Sequence, residues 1–197
     1  MTAGQRPGRG VPCGMMSDMA SPEAPGQLDA PQVHRVRLLV VMLTIAAVVL
    51  AGDQVSKALV VDRLPGHPPV RLLDGLITLR LTFNAGAAFS FGTSYTVVIA
   101  LVALGTAFLI IRTARRLRSA GWAVALGLLL GGTLGNLTDR LFRAPGPLRG
   151  RVVDWINLPH FPWTFNIADS AITCAAVLIV ILALRNIRLD GGPGRGT

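Results

Sequence analysis

Between residues 37 and 185 long apolar runs alternate with short polar ones, and four of the runs are long enough to cross a bilayer as helices. They fall at about 37–60, 93–111, 120–138 and 167–185, the first with fifteen uncharged residues ahead of Asp53. The polar links differ in character. In ITLRLTFN, Ile77, Leu79, Leu81 and Phe83 alternate with Thr78, Arg80, Thr82 and Asn84, the period of a half-buried strand lying on the membrane surface. Small, flexible AGAAFSFG follows it. In the last link, two valines lead into Asp154 in a short extended run, and Trp155, Pro159, Pro162 and Trp163 then suggest a hairpin-like excursion at headgroup level. The expected fold is a membrane all-α bundle of four transmembrane helices with a small external β-sheet or loop cradle. Residues 1–33, rich in Gly, Pro, Ser and Asp, are expected to be a disordered tail. Residues 34–188 would form the membrane domain with an external β element at about 70–92, and 189–197 a second tail.

Composition agrees with the pattern. Of 197 residues, 51% are hydrophobic and only 15% charged, well below the quarter typical of soluble domains. The net charge of +9 raises the question of nucleic acid, but the arginines punctuate apolar runs instead of clustering on a polar face, so none is expected as a partner. No apolar run precedes the first span, so no cleavable signal is expected, and Met15, Met16 and Met19 leave the start open. Cys13 and Cys174 form no disulfide framework, and Cys174, inside an apolar run, is expected to be a small packing residue.

Charge also sets an orientation. RTARRLR, between the second and third spans, has four arginines and no acid, which marks it and both termini as cytoplasmic. On that assignment the cytoplasmic segments carry 11 basic against 4 acidic residues and the external ones 8 against 6. Asp53, Asp62, Asp74, Asp139, Asp154 and Asp169 all fall on or at the external side. Carboxylates near hydrocarbon mark function, so the site is expected there. In the third span Gly127, Gly131 and Gly135, with Gly132, form a face that another helix can approach closely.

Four polar clusters map to that side. In DQVSK, Asp53 and Lys57 share a helix face, as a functional pair or as a snorkelling interfacial one. In NAGAAFS, Asn84 offers an amide and Gly86 a close backbone approach, although an ordinary turn explains both. In GGTLGNLTDR, Asn136, Asp139 and Arg140 fall on one helical face, where Asp139 is expected to orient Arg140. Asp154 and Asp169, fifteen positions apart, have no Lys or Arg beside them, and Asn166 precedes Asp169 by one turn. If the intervening loop folds back, the two carboxyl groups share one proton in a low-dielectric site. Such a pair can hydrolyse an amide through water with neither metal nor covalent intermediate. A proton relay in a small transporter uses the same acids, and so does a cation site. His34, His67 and His160 sit in no ligand-spaced set, so no metal and no cofactor is expected. A relay belongs nearer the midplane and often accompanies repeated halves, of which the sequence has none.

Over about residues 36–185 the ordered motifs DQVSK, NAGAAFS, GGTLGNLTDR, VVDW and FNIADSAI resemble lipoprotein signal peptidase, the signal peptidase II family of bacterial membrane aspartic proteases. The resemblance implies removal of signal peptides from diacylglyceryl-modified prolipoproteins, just before the lipidated cysteine, at the outer face of the cell membrane. It implies a catalytic pair at Asp154 and Asp169. Supporting residues would be Asp53, Lys57, Asn84, Gly86, Asn136, Asp139, Arg140, Asn166 and Ala168, with Asn136 and Arg140 bonding substrate or lipid carbonyls. It also implies an external sheet cradle around residues 77–83 with an adjoining loop that covers the substrate. Membrane lipids are the expected surroundings and a monomer the expected state. Trp155 stands where phenylalanine is more usual, and the N-terminal tail is unusually long.

Overall fold

The computed structural model describes residues 30–86 and 94–191. Four helices and four strands follow one another as α1 (Ala30–Arg63), β1 (Val70–Leu72), β2 (Ile77–Asn84), α2 (Ser94–Ala114), α3 (Ala120–Phe142), β3 (Val152–Asn157), β4 (Thr164–Phe165) and α4 (Ile167–Leu184). All four helices are long and apolar enough to span a membrane, and the chain is a multi-pass membrane protein. At 34 residues, α1 is about 50 Å long, so it outruns a bilayer core of about 30 Å. It begins at Ala30, inside the segment assigned to the tail; residues 1–29 lie outside the described ones, as do 192–197. The third span runs four residues further than the apolar pattern, to Phe142, which places Asp139 and Arg140 within the helix.

The bundle is organised around α3, against which the other three helices pack. More than half of its membrane window, 56%, is buried, against 22% for each of the others, whose remaining surface faces outward as apolar side chains. Its glycines are the reason it can sit centrally. A Cβ on Gly127 or Gly131 would meet backbone oxygens of α1, those of Met42 and Ala46, at 2.7 Å. One on Gly132 would stand 2.5 Å from the Ala168 oxygen of α4. The small-residue face expected from the sequence is therefore two faces, one for α1 and one for α4. Cys174 corrects its expectation: it is exposed on the outer flank of α4, where an apolar run needs no packing partner from the protein itself.

The strands form one antiparallel sheet in the order β1-β2-β3-β4, with β3 and β4 closing the expected hairpin through Ile156 opposite Phe165. It lies at the bundle end reached by the C-terminal ends of α1 and α3 and the first turn of α4. The strict alternation in β2 is interrupted. Leu79 pairs with Ile156 but Thr82 with Asp154, three residues against two, a one-residue bulge. Beyond it Phe83 leaves the apolar face assigned to it and is 47% exposed. The segment 87–93, including most of the expected covering loop, lies outside the described residues.

Gly132→Ala is expected to lower the unfolding free energy by about 1–3 kcal/mol, because the added methyl overpacks a helix contact. Gly105→Ala, with nothing within 4 Å, should leave it unchanged or slightly raised. Thermal unfolding of both variants in detergent checks the contrast; equal midpoints would contradict the packing.

Candidate active site

The polar clusters, scattered through 117 positions from Asp53 to Asp169, converge at the sheet end of the bundle. Lys57 is completely buried. Its Nζ lies 2.7 Å from Asp53 Oδ2 and 2.8 Å from Asp139 Oδ2, and donates to Asn136 Oδ1 at 3.0 Å. Arg143 Nε donates to the other oxygen of Asp139 at 2.6 Å. Two cations and two carboxylates thus close a neutral set in which every buried charge is paired. The pair in DQVSK is therefore a buried one and not a snorkelling one.

This set fixes the backbone that carries the other two acids. Asp53 Oδ1 accepts from the Ala168 amide at 2.9 Å, so a carboxylate on α1 satisfies an orphan donor in the first turn of α4. Asp139 Oδ2 accepts from the Val153 amide at 3.2 Å, which ties β3 to α3 next to Asp154. Asn166 is the N-cap of α4. Its Oδ1 accepts from the Asp169 amide at 2.9 Å, while Asp169 Oδ2 accepts from the Asn166 amide at 3.2 Å, a reciprocal capping box.

Asn166 also joins the two acids. Its Nδ2 donates to Asp154 Oδ1 at 2.6 Å and to Asn136 Oδ1 at 3.1 Å. Asn136 Nδ2 donates in turn to Asp169 Oδ1 at 2.7 Å. Asn84 Nδ2 donates to Asp154 Oδ2 at 2.9 Å. Asp154 is 2% exposed, Asp169 half-buried, and among the described residues neither takes part in an ion pair. Burial, with a smaller contribution from the nearby Asp169 charge, raises the Asp154 carboxyl to about 6, against the hydrogen bonds of Asn84 and Asn166, which favour its ionised form.

The bulge in β2 makes the Asn84 contact possible. In unbroken register Asp154 would face Leu81, and Asn84 would lie on the opposite side of the sheet. The extra residue puts Thr82 opposite Asp154 and turns Asn84 onto the same face. Gly86 completes the turn: its φ is +93°, and its amide donates to Asn84 Oδ1 at 2.8 Å, so the turn holds the asparagine.

One expectation needs correction. Asp139 does not orient Arg140; it bonds Arg143, four residues on and on its own helical face, whereas the adjacent residue points about 100° away. Arg140, 93% buried, has an Nη1 without a hydrogen-bond partner among the described residues and lies within electrostatic range of Asp154 and Asp169. Asn136 donates one amide hydrogen to Asp169, and its oxygen accepts from Lys57 and Asn166, so it positions those groups. Sequence reasoning also passed over Gln54, whose Nε2 ties Asp53 Oδ2 to the Gly135 carbonyl at 3.1 and 3.0 Å. Arg143 was visible in TDRLFR as the i+4 partner of Asp139; for Gln54 no comparable signal exists.

Lys57→Met is expected to cost about 3–5 kcal/mol of stability, because it leaves Asp53 buried without a cation and Asp139 with Arg143 alone. Thermal unfolding measures it, and a loss below about 1 kcal/mol, the value of a surface pair, would contradict the role of this cation.

The comparisons with known proteins point the same way. The family model described as signal peptidase (SPase) II matches residues 45–185. A lipoprotein signal peptidase of Rhodococcus jostii (strain RHA1) is 47% identical, over 88% of this chain and 85% of its own. That of Mycobacterium avium (strain 104) is 47% identical, over 86% and 92%. The fold is similar to a bacterial membrane enzyme solved by the in meso method at 1.9 Å resolution, with a TM-score of 0.65 and 26% identity, covering 74% of this chain and 93% of that one. With a matching model across most of its length and relatives this similar, the chain belongs to the signal peptidase II family of membrane peptidases.

Proposed function

We propose that this peptidase is an aspartic endopeptidase that frees diacylglyceryl-prolipoproteins of their signal peptide, cutting just before the lipidated cysteine. The observation that carries the reading is the pair Asp154, buried, and Asp169, half-buried, linked through Asn166 and, among the described residues, in no ion pair. All other acids of the site are neutralised by Lys57 and Arg143.

The chemistry follows from that division. With one proton between them, the ionised carboxylate takes a proton from a water molecule as its oxygen attacks the scissile carbonyl carbon. The protonated carboxyl gives its proton to the carbonyl oxygen, and a neutral tetrahedral diol results. On collapse the ionised member of the pair takes one diol proton while the protonated member gives its proton to the departing nitrogen; the second diol proton stays on the new carboxyl group. The C–N bond breaks, leaving a carboxylic acid and an amine, and the pair again holds one proton. Arg140, whose Nη1 has no hydrogen-bond partner among the described residues, is suited to bind a substrate carbonyl beside the pair. An anchored lipoprotein precursor arrives within the bilayer, which fits a site at one end of the bundle. The acids' gathering there offers nothing to a midplane proton relay. On the charge distribution that end is external and both termini cytoplasmic, in the bacterial cytoplasmic membrane, with the enzyme acting as a monomer among its lipids.

Asp154→Asn and Asp169→Asn are each expected to abolish cleavage of a diacylglyceryl-modified precursor while leaving membrane insertion and the unfolding midpoint close to wild type. Cleavage at the wild-type rate by either folded variant would refute the pair.

The pH dependence has a sign. The working state needs one shared proton, so the basic limb of the rate profile marks its loss. Asn84 donates to the Asp154 carboxylate and favours ionisation. Asn84→Ala should therefore move that limb to higher pH, by about one pH unit for a hydrogen bond to a charged group. A limb that stays in place or moves down would contradict the assignment.

A further inference from the structure

At the bundle end opposite the candidate active site, a cavity of about 650 Å³ opens between the last turn of α2, the short link to α3 and the segment after α4. Arg112, Arg115, Arg116 and Arg188 line it together with Leu109 and Asp190. Asp190 takes Arg188 in a two-point contact, Nε to Oδ1 at 3.1 Å and Nη2 to Oδ2 at 3.0 Å. Arg112, Arg115 and Arg116 form no ion pair among the described residues. Four guanidinium groups against one carboxylate leave the lining three positive charges in excess.

The walls are held in place. The Arg118 amide donates to the Leu189 carbonyl at 2.9 Å, and Trp122 Nε1 to the Ile187 carbonyl at 2.8 Å. The segment carrying Arg188 is thereby fastened across the α2–α3 link, and Arg188 lines the same cavity as Arg112 of α2 and the link residues Arg115 and Arg116. Four like charges gathered at one cavity repel one another, an arrangement that a bound anion relieves. The fork of a guanidinium suits the oxygens of a phosphate.

We propose that this cavity binds the phosphate of an anionic phospholipid from the leaflet at that end. The lipid source is favoured over free phosphate by Leu109, one turn deeper on α2 than Arg112 and 61% exposed on the helix flank. It makes the cavity continuous with the apolar surface, along which an acyl chain can lie while its headgroup sits among the arginines. No residue here belongs to the candidate active site, so the proposal is independent of the reaction assigned to it.

The test uses the full chain purified into detergent and then reconstituted in nanodiscs. Wild type should retain phosphatidylglycerol in native mass spectra, and its unfolding midpoint should rise on transfer from phosphatidylcholine to phosphatidylglycerol discs. Arg112→Gln with Arg116→Gln, which leaves Arg115 and Arg118 in the link, should weaken retention at least fivefold. Arg63→Gln with Arg71→Gln, an equal charge change at the other end, should leave retention within twofold. Equal losses in both double variants would reduce the effect to general charge attraction and overturn the site. Stabilisation by millimolar inorganic phosphate equal to that by the lipid would overturn the lipid as its occupant.

Discussion

One buried ammonium holds this end of the molecule together. Lys57 is fully enclosed and touches two carboxylates and an amide oxygen, and each of those groups holds a different point on α4 or β3. Asp53 reaches the first turn of α4, Asp139 the amide of β3, and Asn136 the side chain of Asp169. Taking such charges out of water is costly unless they are mutually satisfied, so the arrangement tolerates little displacement. The cation thereby sets the relative placement of three helices and a strand. Its position one helical turn beyond Asp53 makes this possible from a single face of α1.

The same neutralisation separates two kinds of acid. Asp53 and Asp139 are matched by Lys57 and Arg143 and act as structure. Among the described residues Asp154 and Asp169 receive only amide donors, from Asn84, Asn166 and Asn136 and from the Asn166 backbone. Dipoles orient a carboxyl group without forcing it to ionise as a cation would, and burial then raises the Asp154 carboxyl to about 6. That is the condition which the proposed one-proton pair requires of Asp154.

Much of this was legible in the sequence, and for physical reasons. Apolar length marks spans whatever their packing, and acids at the ends of spans stand out because hydrocarbon penalises them. The glycine spacing in α3 announced close helix approach, though not that Gly127 and Gly132 serve different neighbours. The rest depended on distances no local pattern encodes. The β2 alternation put Asn84 with Arg80 and Thr82, and only the one-residue bulge, set by pairing with β3, turned it toward Asp154. Asp139 was matched to the adjacent Arg140 when helical geometry favours Arg143. Cys174, read as packing, faces outward because an apolar residue in a membrane helix carries no information about which solvent, protein or lipid, surrounds it.

A shared environment for two carboxyl groups has a direct signature in how each titrates when the other is removed. With carboxyl-labelled aspartate, nuclear magnetic resonance can follow Asp154 in the wild type and in a variant carrying Asp169→Asn. If the neighbouring charge disfavours ionisation of Asp154, its titration moves to lower pH in the variant. A titration that keeps its midpoint would mean that the two acids do not sense each other, and the account of a jointly held proton would fail.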